Sequence, residues 1–354
     1  MGVGAAAGVP SQRFGRQPIS RRLACAATRL FTAAGLFAAG TVTLPTASEA
    51  CDAPPKSRHN AIRIIDPRTI ELDDKSTIKL SAILPPTRFD SPAAPTEFKP
   101  EQNAREALEE LIDSNGLAIA KERDATDRYG RIIAHVFLNP TPGQSNGPTT
   151  NVPPPLEDWL QAQLVSAGHA RVALTPEITP RCARHLLTLE ANAEQHRRGL
   201  WREALYQAKR AGDPRALLKL RSTFQIVTGT VFATAIRKST VYLNFAKDWR
   251  RDFTVRITKT TLKRARLSPD RLRHLTGKTI RVRGWIERRG GPLITVWRLE
   301  QIEIVDPERS ANLARPTNLF LATDLATTVT PAVRPAPAGQ TGQTIDNEKA
   351  PAPQ

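Results

Sequence analysis

Residues 127–138 read DRYGRIIAHVFL and set Arg131 at the last turn position before a β-branched, apolar-rich segment. A guanidinium there offers a rigid fork of donors suited to phosphate or carboxylate, with Arg128 and Tyr129 beside it. A plainer reading also holds: Asp127 opens a turn, Gly130 supplies a positive φ, and Arg131 is the first strand residue in solvent. A second concentration of chemistry lies in residues 221–305, where 19 Lys and Arg stand against 6 Asp and Glu. There Arg281, Arg283, Arg288 and Arg289 interleave with Tyr242, Phe245, Trp249, Phe253, Trp285 and Trp297, and basic grooves with aromatic platforms hold single-stranded nucleic acid. The plainer counterpart is core aromatics and solvated charges. His185 and His196 lie eleven residues apart on one expected helix, too far to share a metal, and His135 reads as a packed or half-exposed strand histidine.

The elements that must position these groups follow from pattern. AIRII, TIEL and TIKLSAIL, within 61–84, alternate between turns at Asp66-Pro67 and Asp73-Asp74 and predict three strands. Ala104, Ala107, Leu108, Leu111 and Ile112 recur at helical spacing, closed by Asn115-Gly116. LAIAKE (117–122) and RIIAHVFL (131–138) predict strands four and five, and residues 139–155 an exposed loop. Helices are expected over 156–168, ending at Gly168, and 181–199, ending at Gly199. This order predicts a mainly β, α+β fold: a five-stranded OB-type barrel with three helices over 51–203. A helical linker (204–220) follows, with Asp213-Pro214 as cap and first turn. Residues 221–305 predict a second small OB-like barrel. TIRVRGWI places Ile280 and Val282 on one face and Arg281 and Arg283 on the other. The Pro-, Ala- and Thr-rich tail, 306–354, reads as disordered.

Over 354 residues the formal net charge is +17, which favours polyanions as partners. Arginines 13, 16, 21, 22 and 29 precede the apolar run LFTAAGLFAAGTVTL (30–44) and the small residues before Cys51, so residues 1–50 read as a signal peptide cleaved near Ala50. The implied location is periplasmic or secreted. Ser48 and Glu49 fit a lipid-attachment box poorly. In an oxidising compartment Cys51 and Cys182 can form one disulfide or remain free thiols.

IIDPRTIEL, TIKLSAILPPT, DRYGRIIAHVFL, WLQAQLVSAGHARV and EANAEQHRRGLW, in that order, make residues 59–203 resemble the staphylococcal (thermo)nuclease-like domain. That family is an OB-type barrel with helices that hydrolyses phosphodiesters with calcium. The resemblance implies two aspartate ligands, a glutamate that assists the attacking water, two arginines that stabilise the phosphate, and a nucleotide contact at Tyr129. Only Arg131 matches outright. Lys79 stands for the first arginine, Thr87 for the glutamate, and Arg68 and Leu84 occupy the metal-ligand positions, leaving Asp66 as a weak ligand. No cofactor is then expected, and calcium only if Asp66, Asp73, Asp74 or Asp90 rebuilds a site. VYLNFAKDWRRDFTV (241–255) resembles the β-module found behind such domains in some exported proteobacterial proteins. Three readings stay open: a degenerate nuclease-like protein binding nucleic acid or another polyanion, with Arg128, Tyr129, Trp285 and Arg281, Arg283, Arg288 and Arg289 as contacts; a divergent calcium-dependent nuclease; and an envelope scaffold binding a polymer or protein.

Overall fold

The computed structural model describes residues 51–52, 54–91, 95–113, 115–139, 154–248 and 250–305, and the backbone of a short strand at 319–320. The expected signal peptide, the centre of the 139–155 loop, Trp249 and nearly all of the 306–354 tail lie outside the described residues.

The class is mixed α+β with several sheets. In the first body, strands β1 (Ser57–His59), β2 (Ala61–Asp66), β3 (Thr69–Leu72), β4 (Thr77–Leu80), β5 (Ile83–Leu84), β6 (Gly116–Thr126) and β7 (Ile132–Asn139) are joined by helix α1 (Lys99–Asp113). The larger sheet has the order β1-β6-β7-β4-β3-β2, and β5 pairs instead with β8 (Arg171–Val172). Among the described residues no strand pairing closes this sheet into a barrel. Ile70 and Leu72, Ile78 and Leu80, and Ala134 and Val136 turn inward at strand spacing. They meet α1, α2 (Leu160–Ser166) and α3 (Pro180–Gln195) around one core that also holds Trp159, Leu186 and Leu187.

Gly168 ends its helix as the sequence suggests, whereas α3 stops at Gln195, capped at His196, four residues before Gly199, which opens a short 3-10 turn. The two glycines are where the two backbones meet. Both have positive φ, Leu200 N–H donates to the Gly168 carbonyl at 2.9 Å, and a Cβ on either glycine would lie within 2.4 Å of the other segment. The Cys51–Cys182 disulfide is present and buried, with a Cα–Cα distance of 6.2 Å, and pins the start of the described chain to α3.

Strand β9 (Lys209–Arg210) and helix α4 (Pro214–Lys219) lead into β10 (Phe224–Thr230), β11 (Ala233–Arg237), β12 (Thr240–Asn244), β13 (Thr254–Ile257), helix α5 (Lys259–Arg264), β14 (Thr279–Arg289), β15 (Gly291–Val296) and β16 (Ile302–Ile304). Asp213 caps α4 as expected, its carboxylate accepting from Ala216 N–H at 3.0 Å. The sheet order is β11-β12-β13-β15-β14-β10-β9. The long strand β14 changes neighbours along its length, pairing first with β10 and β16 and then with β15. Phe253, with Phe245 packed on it at 4.9 Å, belongs to this second core.

The two bodies are stitched together by buried polar contacts. Arg171 donates to the Phe224 carbonyl at 2.7 Å and Arg298 to the Pro176 carbonyl at 2.9 Å. Trp201, Tyr206 and Ile226 share one further apolar cluster across the junction.

Candidate phosphate-binding site

Three short-range features bring the candidate residues together. The β2–β3 hairpin turns at Asp66-Pro67-Arg68-Thr69, where the Asp66 carboxylate accepts the Arg68 backbone N–H at 2.8 Å, a side-chain turn typical of aspartate. Thr69 then pairs with Lys79, and Lys79 pairs with Ile133 on the parallel neighbour β7. Arg68, Lys79 and Arg131 therefore arrive at one end of the sheet.

The turn before β7 is built by Asp127. Its Oδ1 accepts from Tyr129 N–H at 2.9 Å and Arg131 N–H at 3.2 Å, and Gly130, at φ +75° with open space where a Cβ would be, completes it. The other oxygen, Oδ2, holds Arg131 through Nε at 2.8 Å and Nη2 at 2.7 Å, with Lys79 Nζ at 3.6 Å. Tyr129 is 67% exposed, and its ring lies 4.7 Å from the Arg128 guanidinium and 5.2 Å from that of Arg131.

Arg68 is half-buried and donates through Nε to the Leu80 carbonyl at 2.8 Å. Desolvation, only partly offset by Asp66 and reinforced by Arg131, lowers its pKa to about 10. Lys79 is also pushed down, by desolvation first and then by the charges of Arg68 and Arg131. Burial would raise the Asp127 carboxyl, but its hydrogen bonds from Arg131 and Tyr129 and the charge of Arg131 hold it at about 2.

A calcium ion does not fit these residues. A hard cation needs several oxygen ligands, whereas Arg68 brings a positive charge and Leu84 an aliphatic chain. No group of three His, Cys, Asp or Glu side chains forms at this place among the described residues. The acids named as substitutes lie elsewhere. Asp73 and Asp74 flank His59, with 2.8 Å between His59 Nδ1 and Asp73 Oδ1. Asp90 is buried beneath Arg171 and Tyr206, accepting from both at 2.9 Å. Thr87 is bound into the Asp90 turn, its N–H donating to Asp90 Oδ2 at 3.1 Å, and Leu84 pairs with Arg171.

Two residues expected to contact nucleic acid are placed differently. Arg283 is 2% exposed, with its guanidinium between Glu190 and Glu303, and Arg281 reaches Glu194 at 2.5 Å. The alternation along β14 is as read, but α3 covers that face. Glu190 and Glu194 rise about 6 Å along the helix, close to the ~7 Å between alternate strand residues, so the two ion pairs fall in register. Glu190 and Glu303 raise the Arg283 pKa against the cost of burial. One step further along, Trp285 is 49% exposed and edge-on to Phe224 at 5.9 Å, while Arg288 and Arg289 end the strand in solvent.

A buried group escaped sequence reading. His135 is fully buried, the packed alternative of its two readings, and lies 3.3 Å from Glu122, whose carboxylate accepts from Ser81 and, at 2.9 Å, from Thr175. The role of Asp127 as counter-ion was likewise unread, although its place four residues before Arg131 was the available signal.

Residues 77–203 match the family described as staphylococcal nuclease homologue, so this part of the chain is a staphylococcal nuclease-like domain. The match takes in Lys79, Leu84, Thr87, Tyr129 and Arg131. Asp66 and Arg68 precede it and are tied to it by the Thr69–Lys79 strand pairing. No curated protein matches the chain.

Proposed function

We propose that this is an exported protein that binds phosphodiester strands, with nucleic acid as the first candidate, and does not hydrolyse them. The carrying observation is the guanidinium of Arg68, held on the Leu80 carbonyl where the resemblance places a metal-binding acid. Lys79 and Arg131 share the carboxylate of Asp127, Arg68 adds a third positive charge beside them, and such a cluster attracts phosphate. Hydrolysis also needs a group to activate water. The Thr87 hydroxyl has no basicity for that at neutral pH, so binding requires no metal and chemistry does not follow.

An OB-type architecture for this domain is part of the same proposal, supported by the sheet order β1-β6-β7-β4-β3-β2 and the helices packed on it. Export is supported by the basic head and apolar run of residues 13–44 together with the Cys51–Cys182 bridge, which belongs to an oxidising compartment. The deciding experiment is a cleavage time course on labelled single-stranded DNA with calcium, with magnesium and with chelator, beside a binding titration. The expected result is no cleavage in any arm and binding that weakens severalfold in Lys79→Gln/Arg131→Gln. Metal-dependent cleavage abolished by Arg131→Ala would overturn the reading in favour of a rebuilt nuclease.

A further inference from the structure

A second site lies outside the cluster around Asp127. A cleft of about 470 Å³ is walled by the first turns of α3 (Pro180, Arg184), the end of α5 and the residues after it (Arg264, Arg266, Leu267), and the Trp297–Glu300 segment after β15. That volume is in the range of ligand pockets, roughly 300–1,000 Å³.

Its walls are rigidly placed. Thr261 donates through Oγ1 to the Val296 carbonyl at 2.8 Å, fastening α5 to the end of β15. The backbone N–H groups of Trp297 and Arg298 both donate to Gln301 Oε1, at 2.7 and 3.0 Å. Arg298 is tied to Glu300 and to the Pro176 carbonyl, so it serves the wall and not a ligand. Against this fixed frame the Trp297 ring is left 50% exposed.

The charges facing the cleft are unbalanced. Arg184 and Arg266 form no salt bridge with any described residue, and Arg264 makes only a long contact, 3.5 Å, to the Trp297 carbonyl. Glu177 lies near enough to feel the charges of Arg264 and Arg298. Arg266 also holds φ +51°, a left-handed position at the end of a helix where glycine is the unstrained choice.

Three guanidiniums without carboxylate partners among the described residues, an exposed indole and the apolar flanks of Pro180, Leu267 and Leu299 suit a ligand that is anionic on one side and flat and apolar on the other. We propose that this cleft binds a nucleoside phosphate unit of a single strand, with the base stacked on Trp297 and its phosphates met by Arg184, Arg264 and Arg266. The ligand class rests on the strand-binding reading above, but the residues do not overlap, so either can fail alone.

The test uses the full mature chain and three probes: a ten-nucleotide oligothymidine, an abasic phosphodiester strand of the same length, and inorganic polyphosphate. Base–aromatic stacking is worth enough that Trp297→Leu, which keeps an apolar wall, should weaken oligothymidine binding about tenfold and leave the abasic strand unaffected. Arg184→Gln/Arg266→Gln should weaken both strands and lower the salt slope by about 0.7 for each phosphate no longer neutralised. Lys79→Gln/Arg131→Gln should leave the Trp297-dependent share of binding intact. Oligothymidine binding unchanged in Trp297→Leu would overturn the cleft, as would polyphosphate binding equal to oligothymidine and indifferent to Trp297. Loss of all binding in Lys79→Gln/Arg131→Gln would also overturn it, while leaving the first site standing.

Discussion

Arg131 and Asp127 are joined through both sides of the turn between them. Asp127 Oδ1 accepts the Arg131 backbone N–H at 3.2 Å, and Oδ2 takes Nε and Nη2 of the same residue at 2.8 and 2.7 Å. One acid thus shapes the turn and neutralises the cation that the turn presents. Lys79 leans on the same oxygen at 3.6 Å. Because the Asp127 carboxyl is depressed to about 2, its contribution to stability is complete above the ordinary carboxylate range near 3.9 and is lost as pH falls toward 2.

Asp127→Asn separates those roles. The amide oxygen can still accept the two turn N–H groups, while Arg131 and Lys79 lose their counter-ion. A partly exposed ion pair is worth about 0.2–1 kcal/mol, so binding of a short single-stranded oligonucleotide should tighten about two- to fivefold, read by fluorescence titration at fixed salt. Unchanged or weaker binding would mean that phosphates do not visit this end of the sheet.

Arg283 should behave in the opposite way, as part of the frame. Arg283→Met leaves Glu190 and Glu303 buried without their shared cation, which costs about 3–5 kcal/mol. The unpaired carboxyls would then titrate above their unfolded values. The folded state would bind more protons than the unfolded one, so stability should fall as pH rises and recover on acidification. Melting curves of the variant between pH 5 and 8 should show that slope, and a flat profile would remove the buried pair from the account. Oligonucleotide affinity of the folded variant should match that of the parent.

What was legible in the sequence follows from the range over which each signal acts. The helices around Leu108 and Leu186 and the strands around Ile70 and Val136 carry their periodicity locally, and the structure has them. Strands as short as Ser57–His59 and Lys209–Arg210 hold too few residues to show a period. Alternation correctly put Arg281 and Arg283 on one face of β14, but it holds no information about which element covers that face. The covering helix lies some ninety residues earlier, and only the i, i+4 pair Glu190 and Glu194 hinted at a match. The cleft around Trp297 was invisible for the same reason, since its walls come from three separated stretches. Lys79, Tyr129 and Arg131 were legible because they sit in contiguous motifs.

The disulfide closes a loop with a sequence separation of 131. Cross-links of this kind restrict the unfolded chain and are typically worth about 2–4 kcal/mol. Both cysteines are buried against α3, so Cys51→Ala/Cys182→Ala should leave the fold intact and lower its urea midpoint at an unchanged slope. Reductant should lower the parent's midpoint to about the same value and do nothing to the variant. If reductant leaves the parent unaffected, the bridge carries no stability.

The strongest test of the site's history is to reverse it. Arg68→Asp/Leu84→Asp/Thr87→Glu restores the acids that the resemblance places at these positions. Without a cation, the carboxylate introduced in place of Arg68 would lie beside Asp66, Asp127 and Glu122, all of which now act on the Arg68 charge. The Leu80 carbonyl would also be deprived of the hydrogen bond it accepts from Arg68, at a cost of about 1–3 kcal/mol where such a group stays buried. The variant should therefore melt below the parent in chelator and recover as calcium is added, because an ion that binds only the folded state stabilises it by about 2.7 kcal/mol at a hundredfold excess over Kd. The parent should show no calcium dependence, since Arg68 already supplies a positive charge there. A parent that melts higher with calcium would show that a metal site persists despite Arg68, and a variant indifferent to calcium would show that the hairpin no longer places residue 68 where a ligand is needed.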